Sequence, residues 1–199
     1  AVETLTIAAA ADLDISNAST NLGAVKTATI TGAGDVDLGN LSASASFATL
    51  TASAATGDIT ATVSGVNTAV TTGSGNDTIT LTNAAAISKA INLGAGDDTL
   101  ILAAGTTAIP TAAVNGGAGT DTISMTSVSA DAFDINTNFA AAISGFERLE
   151  ISNAYGTDDA NANQFLSLDM EKLGFNYVIT NGTVADTTPA DSDDLRLIN

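Results

Sequence analysis

The sequence predicts an all-β chain folded as a parallel β-solenoid (β-helix or β-roll), a stack of coils of about 21 residues each. Three observations carry that expectation. A Gly/Asp motif recurs as Gly73-Ser74-Gly75-Asn76-Asp77-Thr78-Ile79, Gly94-Ala95-Gly96-Asp97-Asp98-Thr99-Leu100 and Gly117-Ala118-Gly119-Thr120-Asp121-Thr122-Ile123, its aspartates 21 and 23 residues apart. After each copy, apolar residues fall two apart (Ile79/Leu81, Leu100/Leu102, Ile123/Met125), the spacing that puts both on one face of a strand. The composition supplies strand and turn formers, with 30 Thr, 18 Gly and only two Pro.

The period extends upstream. Asp12-Leu13-Asp14-Ile15 recurs 23 residues later as Asp35-Val36-Asp37-Leu38, and Gly57-Asp58-Ile59 follows after another 21. Second alternating runs lie between the echoes at Lys26–Ile30, Phe47–Leu50 and Ile87–Leu93, so each coil should hold two or three short strands. Stacked at about 4.8 Å, roughly nine coils would make a rod of about 40 Å. Weaker echoes continue at Phe146-Glu147-Arg148-Leu149-Glu150-Ile151, Leu168-Asp169-Met170 and Asp193-Asp194-Leu195. Helical signal is scant: Ala130–Ala142 predicts an excursion with at most one helical turn, and Leu166–Leu173 predicts a strand or a short helix. The expected organisation is one domain over 1–199, with strict loops at 72–124 and insertions near 127–145 and 154–166. The absent initiator Met and the strand-like end Leu195-Arg196-Leu197-Ile198 suggest a fragment of a longer chain.

Charge narrows the function. The chain carries 22 Asp+Glu against 5 Lys+Arg, a net charge of −17, and 18 of the acids are Asp. That balance argues against nucleic acid and anionic membrane surfaces, which need Lys and Arg, and suits a chain that meets cations. No stretch is long and apolar enough to predict membrane insertion, and Ala1 to Ala11 lacks the basic start of a signal peptide. Without Cys or His there are no disulfides, thiol nucleophiles, His-based triads or ordinary zinc sites. An enzyme would have to use carboxylates, hydroxyls, three Lys and two Arg. Glu147 and Glu150, three apart in a strand, point to opposite faces and make no glycosidase pair. The expectation is therefore a non-enzyme.

The repeated loops carry the chemistry. They fit the calcium-binding nonapeptide G-G-x-G-x-D-x-U-x, in which glycines permit a tight turn and Asp adds a hard anionic oxygen. Ca²⁺ takes six to eight oxygens at about 2.3–2.6 Å, more than one loop offers, but loops one coil apart stack and share ions. Three loops make two gaps and predict at least two calcium ions. Asp77 and Asp98 would serve the first gap, Asp98 and Asp121 the second, making Asp98 the shared ligand. Carbonyls near Gly73, Gly75, Gly94, Gly96, Gly117 and Gly119 complete the shells, with Asn76, Asp97 and Thr120 beside them. Only Gly116 supplies the leading glycine; Thr72 and Leu93 replace it elsewhere, which should weaken affinity.

The earlier acids differ. Asp12, Asp14, Asp35, Asp37 and Asp58 directly precede an apolar residue instead of standing two before it, so they should point outward. Asp35 and Asp37, near Gly32 and Gly34, are weaker cation candidates; the alternative is a solvated acidic edge that discourages side-by-side pairing. Asp159-Ala160-Asn161-Ala162-Asn163 has the spacing that opens an EF-hand loop, but Gln164 and Met170 stand where Gly and Glu are required. Asp159 and Asn161 remain candidates for a single irregular site.

The loops resemble those of RTX proteins exported by bacterial type I secretion. From about Val70 to Phe165 the match is closer to the C-terminal part of Caulobacter-type surface-layer proteins, through the wide-spaced loops, Gly145-Phe146-Glu147-x-Leu149 and Asn161-Ala162-Asn163-x-Phe165. The resemblance implies secretion, calcium-dependent folding at the cell surface, self-association into a two-dimensional array, and contact with cell-surface polysaccharide through other parts of the full chain. The competing expectation is a stalk or binding module of a large RTX adhesin, which an exposed aromatic or ligand-binding insertion within 127–165 would favour.

Overall fold

A computed structural model describes residues 2–17, 22–83, 85–136, 138–153, 166–180 and 195–198. The chain is a parallel β-solenoid with two strands per coil, one feeding each of two sheets. The first sheet stacks β1 (Thr4–Ala9), β3 (Thr27–Gly32), β5 (Thr49–Ala55), β7 (Ala69–Thr71), β9 (Ile91–Asn92), β11 (Val114–Asn115) and β13 (Ile143–Ser144) in that order. The second stacks β2 (Leu13–Asp14), β4 (Val36–Asn40), β6 (Ile59–Val63), β8 (Thr78–Leu81), β10 (Thr99–Leu102), β12 (Thr122–Met125), β14 (Arg148–Ile151) and β16 (Tyr177–Thr180). Among the described residues the two sheets hold seven and eight strands, against the roughly nine coils expected at a constant period. The coils lengthen towards the C-terminus, where helices are inserted between β12 and β13.

Alternation builds the core. In β8 and β10 every second residue is buried, Ile79 and Leu81, then Leu100 and Leu102, while Thr78, Thr80 and Thr99 face outward, half-buried. Parallel register puts like on like: Thr78 pairs with Thr99 and Thr99 with Thr122, Ile79 with Leu100 and Leu100 with Ile123. The first sheet repeats the device, with Thr4, Thr27 and Thr49 in one outward column and Ile7, Ile30 and Leu50 among the buried residues inside. Threonine suits these columns because its branched Cβ favours the strand and its side chain pairs across strands.

The C-terminal third departs from regular coils. α1 (Ser127–Asp134) and α2 (Phe139–Ala142) replace the single turn expected over Ala130–Ala142. Thr126 caps α1 by accepting from the Ser129 N–H at 3.3 Å, and Phe133 of α1 stacks on Phe139 of α2 at 4.1 Å, both buried. Those contacts account for the second turn. β15 (Leu166–Asp169) runs directly into α3 (Met170–Leu173), so the stretch predicted as strand or helix is both. β15 pairs with β17 (Leu195–Ile198) in a small separate sheet. Asp169 caps α3, Gly174 ends it at φ +81°, and the Asp169 N–H donates to Asp134 of α1 at 2.6 Å.

Candidate metal centre

The three repeated loops stack one above another on one side of the solenoid. The Ala95 N–H donates to the Gly73 carbonyl at 2.8 Å, and the Ala118 N–H to the Gly94 carbonyl at 2.9 Å. Glycine is required because the coils approach closely. A Cβ on Gly75 would lie 2.4 Å from the Gly57 carbonyl oxygen, on Gly96 2.2 Å from that of Gly75, and on Gly119 2.0 Å from that of Gly96. Gly73, Gly94 and Gly117 form a second such column. Gly117→Ala should therefore cost well over the roughly 1–3 kcal/mol of a strained φ, since at φ +122° its Cβ also meets the Gly94 carbonyl oxygen at 2.0 Å. Gly105→Ala is the control: φ is +78° but open space surrounds the new methyl, so only the conformational cost of about 1–2 kcal/mol is expected. Urea unfolding of the two variants checks this; equal losses would mean the coils can part freely.

The aspartates occupy a core position. Asp77 directly precedes Thr78, which pairs with Thr60, so it stands where Ile59 and Val36 stand in the two earlier coils. Asp77, Asp98 and Asp121 are 1%, 1% and 0% exposed. One oxygen of each is tied to the preceding coil: the N–H of Ile59 donates to Asp77 Oδ1 (2.7 Å), that of Asp77 to Asp98 Oδ1 (2.7 Å), and that of Asp98 to Asp121 Oδ1 (2.8 Å). The second oxygens are different. Among the described residues, the buried side-chain atoms without a hydrogen-bond partner are Oδ2 of Asp77, Asp98 and Asp121. Leaving one such atom unsatisfied costs about 1–3 kcal/mol, more for a charge.

A second column runs beside the first with the opposite direction. The N–H of Asp35 donates to Asp12 Oδ1, that of Asp58 to Asp35, that of Asn76 to Asp58, that of Asp97 to Asn76 and that of Thr120 to Asp97, at 2.6–3.1 Å. These side chains reach towards the following coil, whereas the buried aspartates reach back. Each gap between loops is thus entered from both sides, by Asn76 and Asp98 in one and by Asp97 and Asp121 in the next. The Oδ1 atom of Asp98 reaches back to the coil of Asp77, into the first of the two gaps expected of a shared ligand.

Burial sets the electrostatics. It pushes the Asp98 carboxyl up to about 7, helped by the charges of Asp77, Asp121 and Asp97 and opposed by the Asp77 N–H. Burial likewise raises Asp77, against the neighbouring Thr72 hydroxyl and the N–H groups of Ile59 and Gly73, although the Thr72 proton itself goes to the Leu93 carbonyl. Asp121 is raised by burial and by the negative charges of Glu147 and Asp97. Stacked, desolvated carboxylates raise one another's cost of ionisation, and a cation between them would remove it.

The donors suit a hard cation: charged oxygens, amide oxygen and glycine carbonyls, with no sulfur or imidazole. Among the described residues no three Asp, Glu, His or Cys side chains converge as a metal cluster. Each gap offers two side chains, so backbone oxygen would have to complete any shell.

The other candidates fall elsewhere. Asp35 is exposed and Asp37 half-buried, and Asp37 Oδ1 is occupied by the Gly39 N–H at 2.8 Å. With Asp12, Asp14 and Asp58 they border an open groove of about 390 Å³. Asp159 and Asn161 lie outside the described residues. Glu147 was not read from the sequence as part of the row. Its Oε2 accepts from the Asp121 N–H at 2.8 Å and ends the buried column. The signal was present, since Glu147 stands two residues before Leu149 as each aspartate stands two before Ile79, Leu100 and Ile123. Comparison with protein-family models, curated proteins and solved structures found no match in any of the three.

Proposed function

We propose that this chain is a calcium-rigidified structural segment of a bacterial surface layer, folding outside the cell and associating with its own kind into a two-dimensional array. The observation that carries the calcium half is the row of three buried aspartates, each with one oxygen left without a partner. A cation that binds only the folded stack would relieve those oxygens and stabilise the fold by linkage. Asp77, Asp98 and Asp121 would hold it, with Asn76, Asp97 and glycine carbonyls. Bound Ca²⁺ would supply positive charge and coordination; the chain supplies oxygen donors at fixed register and a glycine-lined wall that lets the coils close. At the millimolar affinity of extracellular calcium modules, about 10⁻⁴–10⁻³ M, the chain would stay loose in a calcium-poor cytosol and fold after export.

The surface-layer half is supported by the resemblance of the loops and of Gly145-Phe146-Glu147-x-Leu149. The adhesin alternative lacks its expected support among the described residues of the insertion, because the aromatics there, Phe133, Phe139 and Phe146, are buried. Among the described residues no helix is long and apolar enough to cross a membrane.

Titrating metal-free protein with CaCl₂, with MgCl₂ as control, tests both halves. Far-UV circular dichroism should gain β-signal, and the chain should compact, between micromolar and millimolar Ca²⁺. Growth in particle size above that range is expected of an array former. A chain equally folded without calcium would remove the mechanism, and one that folds but stays monomeric would favour an isolated stalk.

A further inference from the structure

The series of cation gaps begins one coil ahead of the repeated motif. We infer that the gap between the Gly57-Asp58 loop and the Gly75-Asn76-Asp77 loop is an oxygen-donor site for a divalent cation of the calcium class. The inference rests on the calcium reading above and extends it to a loop that has no motif of its own, Ala55-Thr56-Gly57-Asp58-Ile59.

Three gaps are built alike. In each, a buried aspartate from the later coil reaches back, anchored by one oxygen to a backbone N–H and with the other unpartnered: Asp77 on Ile59, Asp98 on Asp77, Asp121 on Asp98. In each, a side chain from the earlier coil reaches forward to a backbone N–H of the later one: Asp58 to Asn76, Asn76 to Asp97, Asp97 to Thr120. In each, a glycine carbonyl abuts the glycine of the next loop: Gly57 against Gly75, Gly75 against Gly96, Gly96 against Gly119. A motif search misses the first gap because half of its ligands come from a loop that lacks the Asp-Thr-apolar run. The other half, Asp77, is 1% exposed and its free oxygen has no protein partner.

The same geometry says where the series stops. One gap earlier, Asp35 reaches forward but the position facing it is the buried Ile59, so no second carboxylate enters. At the other end Glu147 closes the column, with Thr120 in place of a forward acid. The three gaps also differ in charge. Asp58/Asp77 and Asp97/Asp121 each present two carboxylates, whereas Asn76/Asp98 presents one. Ligand charge tunes calcium affinity, so the middle gap should be the weakest and the motif-free first gap should match the last.

Equilibrium dialysis of the full chain against CaCl₂, with Ca²⁺ alone as the probe, decides this. The wild type should bind three ions, two of them tighter than the third. Asp58→Asn keeps an acceptor for the Asn76 N–H and should bind two, or bind one of three at least tenfold more weakly. Asn76→Asp provides an independent reading: the weakest of the three sites should tighten about tenfold. Two ions in the wild type and no change in Asp58→Asn would overturn the third site while leaving the calcium reading intact. Three ions bound with the same affinities in both proteins would also overturn it. No ions in the wild type would remove both.

Discussion

Asp98→Asn is expected to stabilise the metal-free chain and weaken the calcium-loaded one. The substitution is isosteric and keeps an oxygen for the Asp77 N–H, the one hydrogen bond its carboxylate makes. What it removes is a charge that is 1% exposed and lies among Asp77, Asp97 and Asp121. In the metal-free fold that charge is a liability, since burial and like neighbours both oppose ionisation. The neutral amide faces those carboxylates as a donor, and Tm at pH 8 should rise by several degrees, at about 2–4 °C per kcal/mol for a chain of this size. With calcium present the sign reverses. A site held at 100 times its dissociation constant contributes about 2.7 kcal/mol to stability, and the variant forfeits much of that. Leu100→Ala supplies the contrast: fully buried and apolar, it should lose about 2–5 kcal/mol with or without calcium. Paired urea titrations with and without CaCl₂ separate the two behaviours. If Asp98→Asn loses stability equally in both, the aspartate is an ordinary structural cap and no ion depends on it.

That reversal depends on which way the aspartate points, which periodicity alone could not show. The solenoid itself was readable, because Ile79, Leu100 and Ile123 alternate with outward threonines at a steady interval, and like residues stack in register. The buried face of Asp77, Asp98 and Asp121 was readable too, since each stands two residues before a core residue. Two things were hidden. Sequence spacing relates Asp58 to Asp37 at 21 residues, yet the structure places Asp58 over Asp35, 23 residues away, and Thr60 over Asp37. The 23-residue offset of Asp12 and Asp35 continues unbroken to Asp58, the register shifts only afterwards, between Asp37 and Gly39, and the next coil shortens to 18 residues, from Asp58 to Asn76. The second hidden feature is axial. Adjacent residues such as Asn76 and Asp77 send their side chains towards opposite neighbours along the rod, and nothing in a linear period encodes that direction. It follows from the backbone N–H groups that each carboxylate finds, and hence from the three-dimensional stacking.

The raised carboxyls also predict an inverted pH dependence. Most proteins gain stability as carboxylates ionise, because paired carboxylates are more acidic when folded. Here the shift runs the other way. An unfolded aspartate titrates near 3.9, whereas Asp98 in the fold titrates at about 7, with Asp77 and Asp121 also raised. Between those limits the folded chain binds more protons than the unfolded chain, so stability must fall as pH rises. The penalty is absent below about pH 4 and complete above about pH 7 for Asp98. Metal-free protein in chelator-treated buffer should therefore melt several degrees higher at pH 5 than at pH 8. Saturating calcium should narrow or reverse that difference, because the ion replaces the protons at pH 8 and must compete with them at pH 5. Calcium affinity should accordingly weaken as pH falls through 7, the direction proton competition requires. A metal-free chain that melts higher at pH 8 than at pH 5 would mean the three aspartates ionise without penalty. Their unpartnered oxygens would then be meeting water, and the argument for a cation in the gaps would lose its electrostatic basis.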